Sequence, residues 1–158
     1  DQGQAELLDV VAGTDGSQAD ILTLKTGGTR HPFNAESLAS GAYHRLDMDG
    51  RRVFREAVHR MSGAVSDVVA RIGKSLEDVA LVIPHQANKR IIDAVQNKLG
   101  VDEETVYVNV HEYGNTGSAT VPFALWEAKE NGRIKDGDLV VLTAFGAGFH
   151  WAAAAVQF

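Results

Sequence analysis

The segment Leu81-Val82-Ile83-Pro84-His85-Gln86-Ala87-Asn88-Lys89-Arg90 decides how the whole chain is read. With Val79 and Ala80 ahead of it, its first part is a continuous apolar run, the pattern of a strand covered on both faces. Pro84 closes the run, because a proline cannot donate to the ladder. His85 therefore stands just past a strand's carboxyl end, where open α/β sheets form their ligand crevice. Beyond it, Ile91, Ile92, Val95 and Leu99 recur at helical spacing and Gly100 supplies a stop, so a helix follows the strand.

Working outward, the apolar positions Phe54, Ala57, Val58, Met61, Val65, Val68, Val69 and Ile72 predict a long amphipathic helix over 51–72, stopped at Gly73. Ser75-Leu76-Glu77-Asp78 reads as a short capping sequence before the next element. Residues 5–12 and 20–25 predict two strands joined as a hairpin through Asp15-Gly16. Residues 26–48, with Gly27-Gly28, Pro32, Asn34 and Ser40-Gly41, lack periodicity and are expected as a long ordered loop. Downstream, 105–110 predicts a short strand and 118–130 a helix with Pro122 in its first turn. Residues 139–144 and 151–158 predict two last strands around Phe145-Gly146-Ala147-Gly148-Phe149-His150. Alternating strands and helices imply an α/β fold, a single domain over 1–158, with a mixed but mostly parallel sheet and helices on both faces.

A chain of 158 residues can bury one real core, and 44% apolar with 23% charged residues is ordinary for a globular domain. No apolar run approaches the about 18 to 20 residues that cross a bilayer, so no membrane segment is expected. There is no cysteine and no basic leader with an apolar stretch behind it, which makes the cytoplasm the expected location. A net charge of −6 argues against nucleic acid as a partner, while leaving room for a local basic spot that receives a phosphate.

His85 alone would equally suit a hydrogen-bonded histidine in a tight turn, and Asn115, between Gly114 and Thr116, would suit a turn or a helix cap. Together they offer two neutral donors at one sheet edge, able to stabilise an oxyanion or enolate without a counter-charge. The turn at Gly146-Ala147-Gly148 exposes backbone N–H groups that could serve an oxyanion, or simply a hairpin that needs glycine. It is no dinucleotide fingerprint, since Trp151 stands at the third glycine and a strand follows. Arg51, Arg52 and Arg55 crowd a helix start against its dipole, and Lys89 and Arg90 repeat the arrangement, which suits a phosphate or a solvated cationic face. His31, His44, His59, His85, His111 and His150 show no metal-ligand spacing. Asp47, Asp49 and Gly50 fail as a calcium loop because Val58 occupies the twelfth position. Neither a metal nor a cofactor is expected.

Pro84-His85-Gln86-Ala87-Asn88, Gly114-Asn115-Thr116, Met48-Asp49-Gly50-Arg51 and Phe145-Gly146-Ala147-Gly148-Phe149 closely resemble the 3-oxoacyl-[acyl carrier protein] synthase III family. The similarity runs along the whole chain but covers the carboxyl-terminal half of that thiolase-like family, whose nucleophilic cysteine lies in the other half. The resemblance implies a condensing enzyme that joins acyl-CoA and malonyl-[acyl carrier protein] into 3-oxoacyl-[acyl carrier protein], releasing CO2 and CoA. It implies that His85 and Asn115 bond the malonyl thioester oxygen during decarboxylation, and that the Ala147 N–H pairs with the cysteine N–H in an oxyanion hole. It implies a carrier-protein surface at Gln86, Ala87, Asn88, Lys89, Arg90 and Arg55, and a pantetheine path along Arg51 and Asn88. Its partners would be acyl carrier protein, acyl-CoA and the cysteine-bearing half, within a homodimer of the complete enzyme. Two departures are Arg51, where some relatives carry a smaller polar residue, and His150, where threonine is common. The alternatives are a silent carrier-protein-binding module and half of a related acyltransferase on the same fold.

Overall fold

The computed structural model describes residues 5–158. In its main sheet, β4 (Val79–Pro84), at one side, and β5 (Leu139–Gly146) run parallel, with Val82 opposite Val141. β6 (His150–Gln157) returns antiparallel beside β5, and β1 (Glu6–Thr14) lies antiparallel on β6, giving the order β1-β6-β5-β4. The α/β class and the mixed sheet are as expected. The expected predominance of parallel pairing is not, since β1–β6 and β5–β6 are both antiparallel. For β5–β6 the reason is length: a parallel crossover needs about a dozen residues or more, and the turn after Gly146 has reversed the chain by His150.

The hairpin expected through Asp15-Gly16 is also replaced. Asp15 instead caps a 3₁₀ turn (Gly16–Ile21), accepting from the Ser17 N–H, and β1 pairs across the molecule with β6. β2 (Leu22–Leu24) pairs with β3 (Leu46–Met48), which lies inside the segment expected to be loop. That segment also holds α1 (Ala35–Ala39), started by a reciprocal cap between Asn34 and Ser37. Over 105–110 the expected strand reduces to a parallel bridge from Val106 to Val82, followed by the short helix α4 (Val110–Tyr113). Pairing stops there because the Gln86 Oε1 takes the N–H groups of Asn109 and Val110 at 2.9 and 3.1 Å.

The long helix forms as its periodicity requires: α2 (Gly50–Arg71) is capped by Asp49, whose carboxylate accepts from the Arg52 N–H at 3.1 Å. With α3 (Lys89–Leu99) it covers one face of the sheet, burying Val65, Val68 and Val95 against Val82 and Val141. α5 (Thr120–Glu130) covers the other face, setting Ala124 and Ala128 on Leu81, Ile83 and Val140. Alternate residues of β4 thus enter different cores, which is why this strand is apolar throughout. Among the described residues no helix is long and apolar enough to cross a membrane.

Candidate active site

A cleft of about 1270 Å³ opens at the sheet edge where β4 and β5 end, and His85, Asn115, Thr120, Gly146, Ala147 and Trp151 all face it. The His85 backbone N–H continues the ladder to the Thr143 carbonyl at 2.7 Å, which fixes where the side chain leaves β4. Its ring Nδ1 lies 2.5 Å from the Thr120 Oγ1. Burial pushes the imidazole below its ordinary pKa, so the ring is held neutral at neutral pH.

Asn115 follows Gly114, whose φ of 67° lies in the left-handed region that favours glycine. The Asn115 Oδ1 accepts from the Gly117 N–H at 2.9 Å, which turns the amide so that its NH2 is the end left for a ligand. His85 and Asn115 therefore line one cleft as neutral groups.

Ala147 sits at the exposed tip of the β5–β6 turn, with no hydrogen bond to its N–H among those of the described residues. The turn is pinned from below by Phe149, fully buried although its φ of 53° is unusual for a bulky side chain. Phe149 packs edge-on to Phe145 with centroids 5.0 Å apart, and its carbonyl accepts from the Asp15 N–H at 3.0 Å. An anchored core residue thus holds the strained conformation that presents the Ala147 amide.

The residues expected on the docking surface divide. Gln86 does not belong there: it is 1% exposed, and its amide is consumed internally. Its Nε2 donates to the carbonyls of Pro84 and Tyr107, and its Oε1 accepts from Asn109 and Val110. Ala87 and Asn88 line the cleft, and Asn88 caps α3 by accepting from the Ile91 N–H at 3.0 Å. Arg51, Arg55, Lys89 and Arg90 are exposed. Arg90 lies over the Phe54 ring at 5.8 Å, which brings it beside the helix that carries Arg51 and Arg55. Lys89 is engaged by Asp93 at 2.7 Å. The crowd of cations at the α2 start is met by Asp49, which caps the helix.

Two further groups went unnoticed in the sequence. Thr120, 2% exposed, abuts the His85 ring. Glu127 accepts from Tyr107 Oη, Asn109 Nδ2 and Tyr113 Oη at 3.0, 2.8 and 2.7 Å, bracing the segment ahead of Asn115. The only sequence signal for that brace is the polar and phenolic character of Tyr107, Asn109 and Tyr113 in a stretch that otherwise reads as strand. No group of side chains suited to hold a metal occurs among the described residues, and the His44 side chain lies outside them.

Residues 69–158 match the family described as 3-Oxoacyl-[acyl-carrier-protein (ACP)] synthase III C terminal. The chain is 48% identical over 157 residues to the beta-ketoacyl-[acyl-carrier-protein] synthase III of Nitratidesulfovibrio vulgaris strain DP4, covering 99% of this chain and 47% of that one. It is 45% identical over 153 residues to the protein of the same description from Roseiflexus castenholzii, covering 97% and 46%. The solved beta-ketoacyl synthase III of Thermus thermophilus superposes with a TM-score of 0.83 at 42% identity, covering 99% of this chain and 47% of that one. The 3-oxoacyl-[acyl-carrier-protein] synthase III of Aquifex aeolicus gives 0.83 at 36% identity, covering 100% and 46%. The chain spans about half the length of the curated relatives it matches.

Proposed function

The chain belongs to the 3-oxoacyl-[acyl-carrier-protein] synthase III family, matching its C-terminal part, and from that premise we propose that it supplies one half of a fatty-acid-initiating condensing site. The supporting observation is that His85 and Asn115 line one cleft as neutral groups, with no partner for the Asn115 NH2 among the hydrogen bonds of the described residues. An acyl group enters from acyl-CoA onto a cysteine, displacing CoA. Since this chain contains no cysteine, the thiol comes from a separate segment of the enzyme. The Ala147 N–H, with the cysteine's own N–H, bonds the acyl oxygen as it gains charge.

Malonyl-carrier protein then loses CO2. The electrons of the broken C–C bond pass to the thioester oxygen, where His85 Nε2–H and Asn115 Nδ2–H donate to the enolate. Neutral donors suit this step, because a cation would hold the charge on oxygen when carbon must attack. The carbanion bonds the acyl carbonyl carbon, the C–S bond breaks, and 3-oxoacyl-carrier protein leaves with the thiolate restored. Arg55, Lys89 and Arg90 meet the acidic carrier protein, while Arg51 and Asn88 line the pantetheine path.

The chain by itself should form no ketoacyl product from acyl-CoA and malonyl-carrier protein, and activity should appear on adding the cysteine-bearing half. In the combined enzyme, His85→Ala or Asn115→Ala should each slow decarboxylation by roughly 10²–10³ (about 2.7–4 kcal/mol) while sparing acyl loading. Turnover by the chain alone, or loss of loading with normal decarboxylation, would sink this reading.

A further inference from the structure

His85 can donate into the cleft through Nε2 only if Nδ1 carries no proton, and nothing intrinsic to a neutral imidazole ensures that. The decision falls to whatever meets Nδ1, and here that is the Thr120 hydroxyl at 2.5 Å. Thr120 opens α5 and is 2% exposed, so its O–H needs an acceptor inside the protein. Among the hydrogen bonds of the described residues, His85 Nδ1 is its only partner. Were Nδ1 to carry the proton, it would donate to Oγ1 and leave the buried hydroxyl hydrogen with nowhere to go. With Nδ1 bare, the hydroxyl donates to it and both groups are satisfied. His85 is itself fixed from behind by its backbone bond to Thr143, so the pair cannot drift apart without disturbing β4.

We propose that Thr120 is a positioning residue whose hydroxyl, donating to His85 Nδ1, locks the imidazole in the tautomer that carries its proton on Nε2. The tautomer assignment stands on the geometry, while its catalytic consequence rests on the donor role proposed for His85. Gly117, three residues earlier in the same segment, does the corresponding work for Asn115 by occupying its Oδ1. One turn at the start of α5 thus sets the polarity of both donors.

The test uses the chain labelled with ¹⁵N at histidine, reading each ring's tautomer from two-bond ¹H–¹⁵N correlations at neutral pH. The His85 signals are those lost in His85→Gln. The wild-type ring should show unprotonated Nδ1 and protonated Nε2. Thr120→Ser should keep that pattern, and Thr120→Val should give the other tautomer or a mixture. A wild-type ring protonated on Nδ1, or an unchanged pattern in a folded Thr120→Val, would overturn the proposal, and the wild-type spectrum decides even if that variant fails to fold.

In the enzyme combined with its cysteine-bearing half, Thr120→Val should slow malonyl decarboxylation at least tenfold with acyl loading spared, and Thr120→Ser should restore it. A changed tautomer with undiminished decarboxylation would uphold the lock and overturn the donor role of His85.

Discussion

A neutral imidazole is a donor whose usefulness depends on pH, and in His85 burial lowers the pKa below its ordinary 6.5. The sign follows directly. Between the depressed folded value and 6.5 the unfolded chain binds the proton and the folded chain does not, so stability rises with pH across that window. As pH falls below 6.5, the wild-type urea midpoint should therefore drop more steeply than that of His85→Gln, with the other histidines common to both. Parallel midpoints in the two proteins would show that His85 is not the group responsible. His85 and Asn115 were legible because each interrupts a pattern: a histidine ends an apolar run, and an asparagine follows a glycine that must turn left-handed. Thr120 was not, since a threonine at a helix start says nothing about which ring it meets. Gln86 was placed on the docking surface only by what the family resemblance implies, whereas its buried amide stands in for a missing strand neighbour.

The element on which Asn115 depends is α4, and a helix of four residues cannot hold itself together. It is gripped at its start by the Gln86 Oε1 on two backbone N–H groups, and further by Glu127 on the side chains of Asn109 and Tyr113. Burial opposes ionisation of Glu127, but bonds from Tyr113, Asn109 and Tyr107 outweigh it and bring the carboxyl below its ordinary value. Gln86→Leu fills the space but strands the two carbonyls and two N–H groups that its amide serves, at about 1 kcal/mol or more each, so a loss of about 4 kcal/mol or more is expected. The measurement is the urea midpoint at unchanged m-value, and a shift under about 0.5 kcal/mol would deny the clamp. Two long helices, α2 and α3, announced themselves through their apolar period, and α5 through Pro122 in its first turn. α1 and β3 are too short to show a period, with five and three residues, whereas β2 falls within the strand expected over 20–25. Strand partners were illegible for another reason: β1 meets β6 only after the whole chain has folded between them, and no local pattern records that.

For the whole molecule, the net charge of −6 conceals an uneven distribution, because Arg51, Arg52 and Arg55 gather at the start of α2 and Arg90 joins them across the α2–α3 contact. An acidic chain that concentrates exposed cations at one place repels an acidic partner at long range except along that approach. On the proposed function the partner is an acidic carrier protein, and the charged groups should not contribute equally. Lys89 already has Asp93 at 2.7 Å, which raises its pKa by a hydrogen bond and offsets its charge outward. Arg90 rests on an aromatic face, with no carboxylate among the ion pairs of the described residues. Arg90→Glu should therefore weaken carrier-protein binding more than Lys89→Glu, with Arg55→Glu in between because Glu56 lies 3.6 Å from it. Wild-type affinity should fall as salt rises, since exposed charges are screened over about 8–10 Å near physiological ionic strength. The salt slope should flatten in Arg90→Glu, and CoA thioesters, which lack an extended acidic surface, should respond less to either change. Titrations of the combined enzyme against carrier protein at graded salt read all of this. Equal effects of the Lys89 and Arg90 reversals, or a wild-type affinity indifferent to salt, would return these residues to an ordinary solvated face.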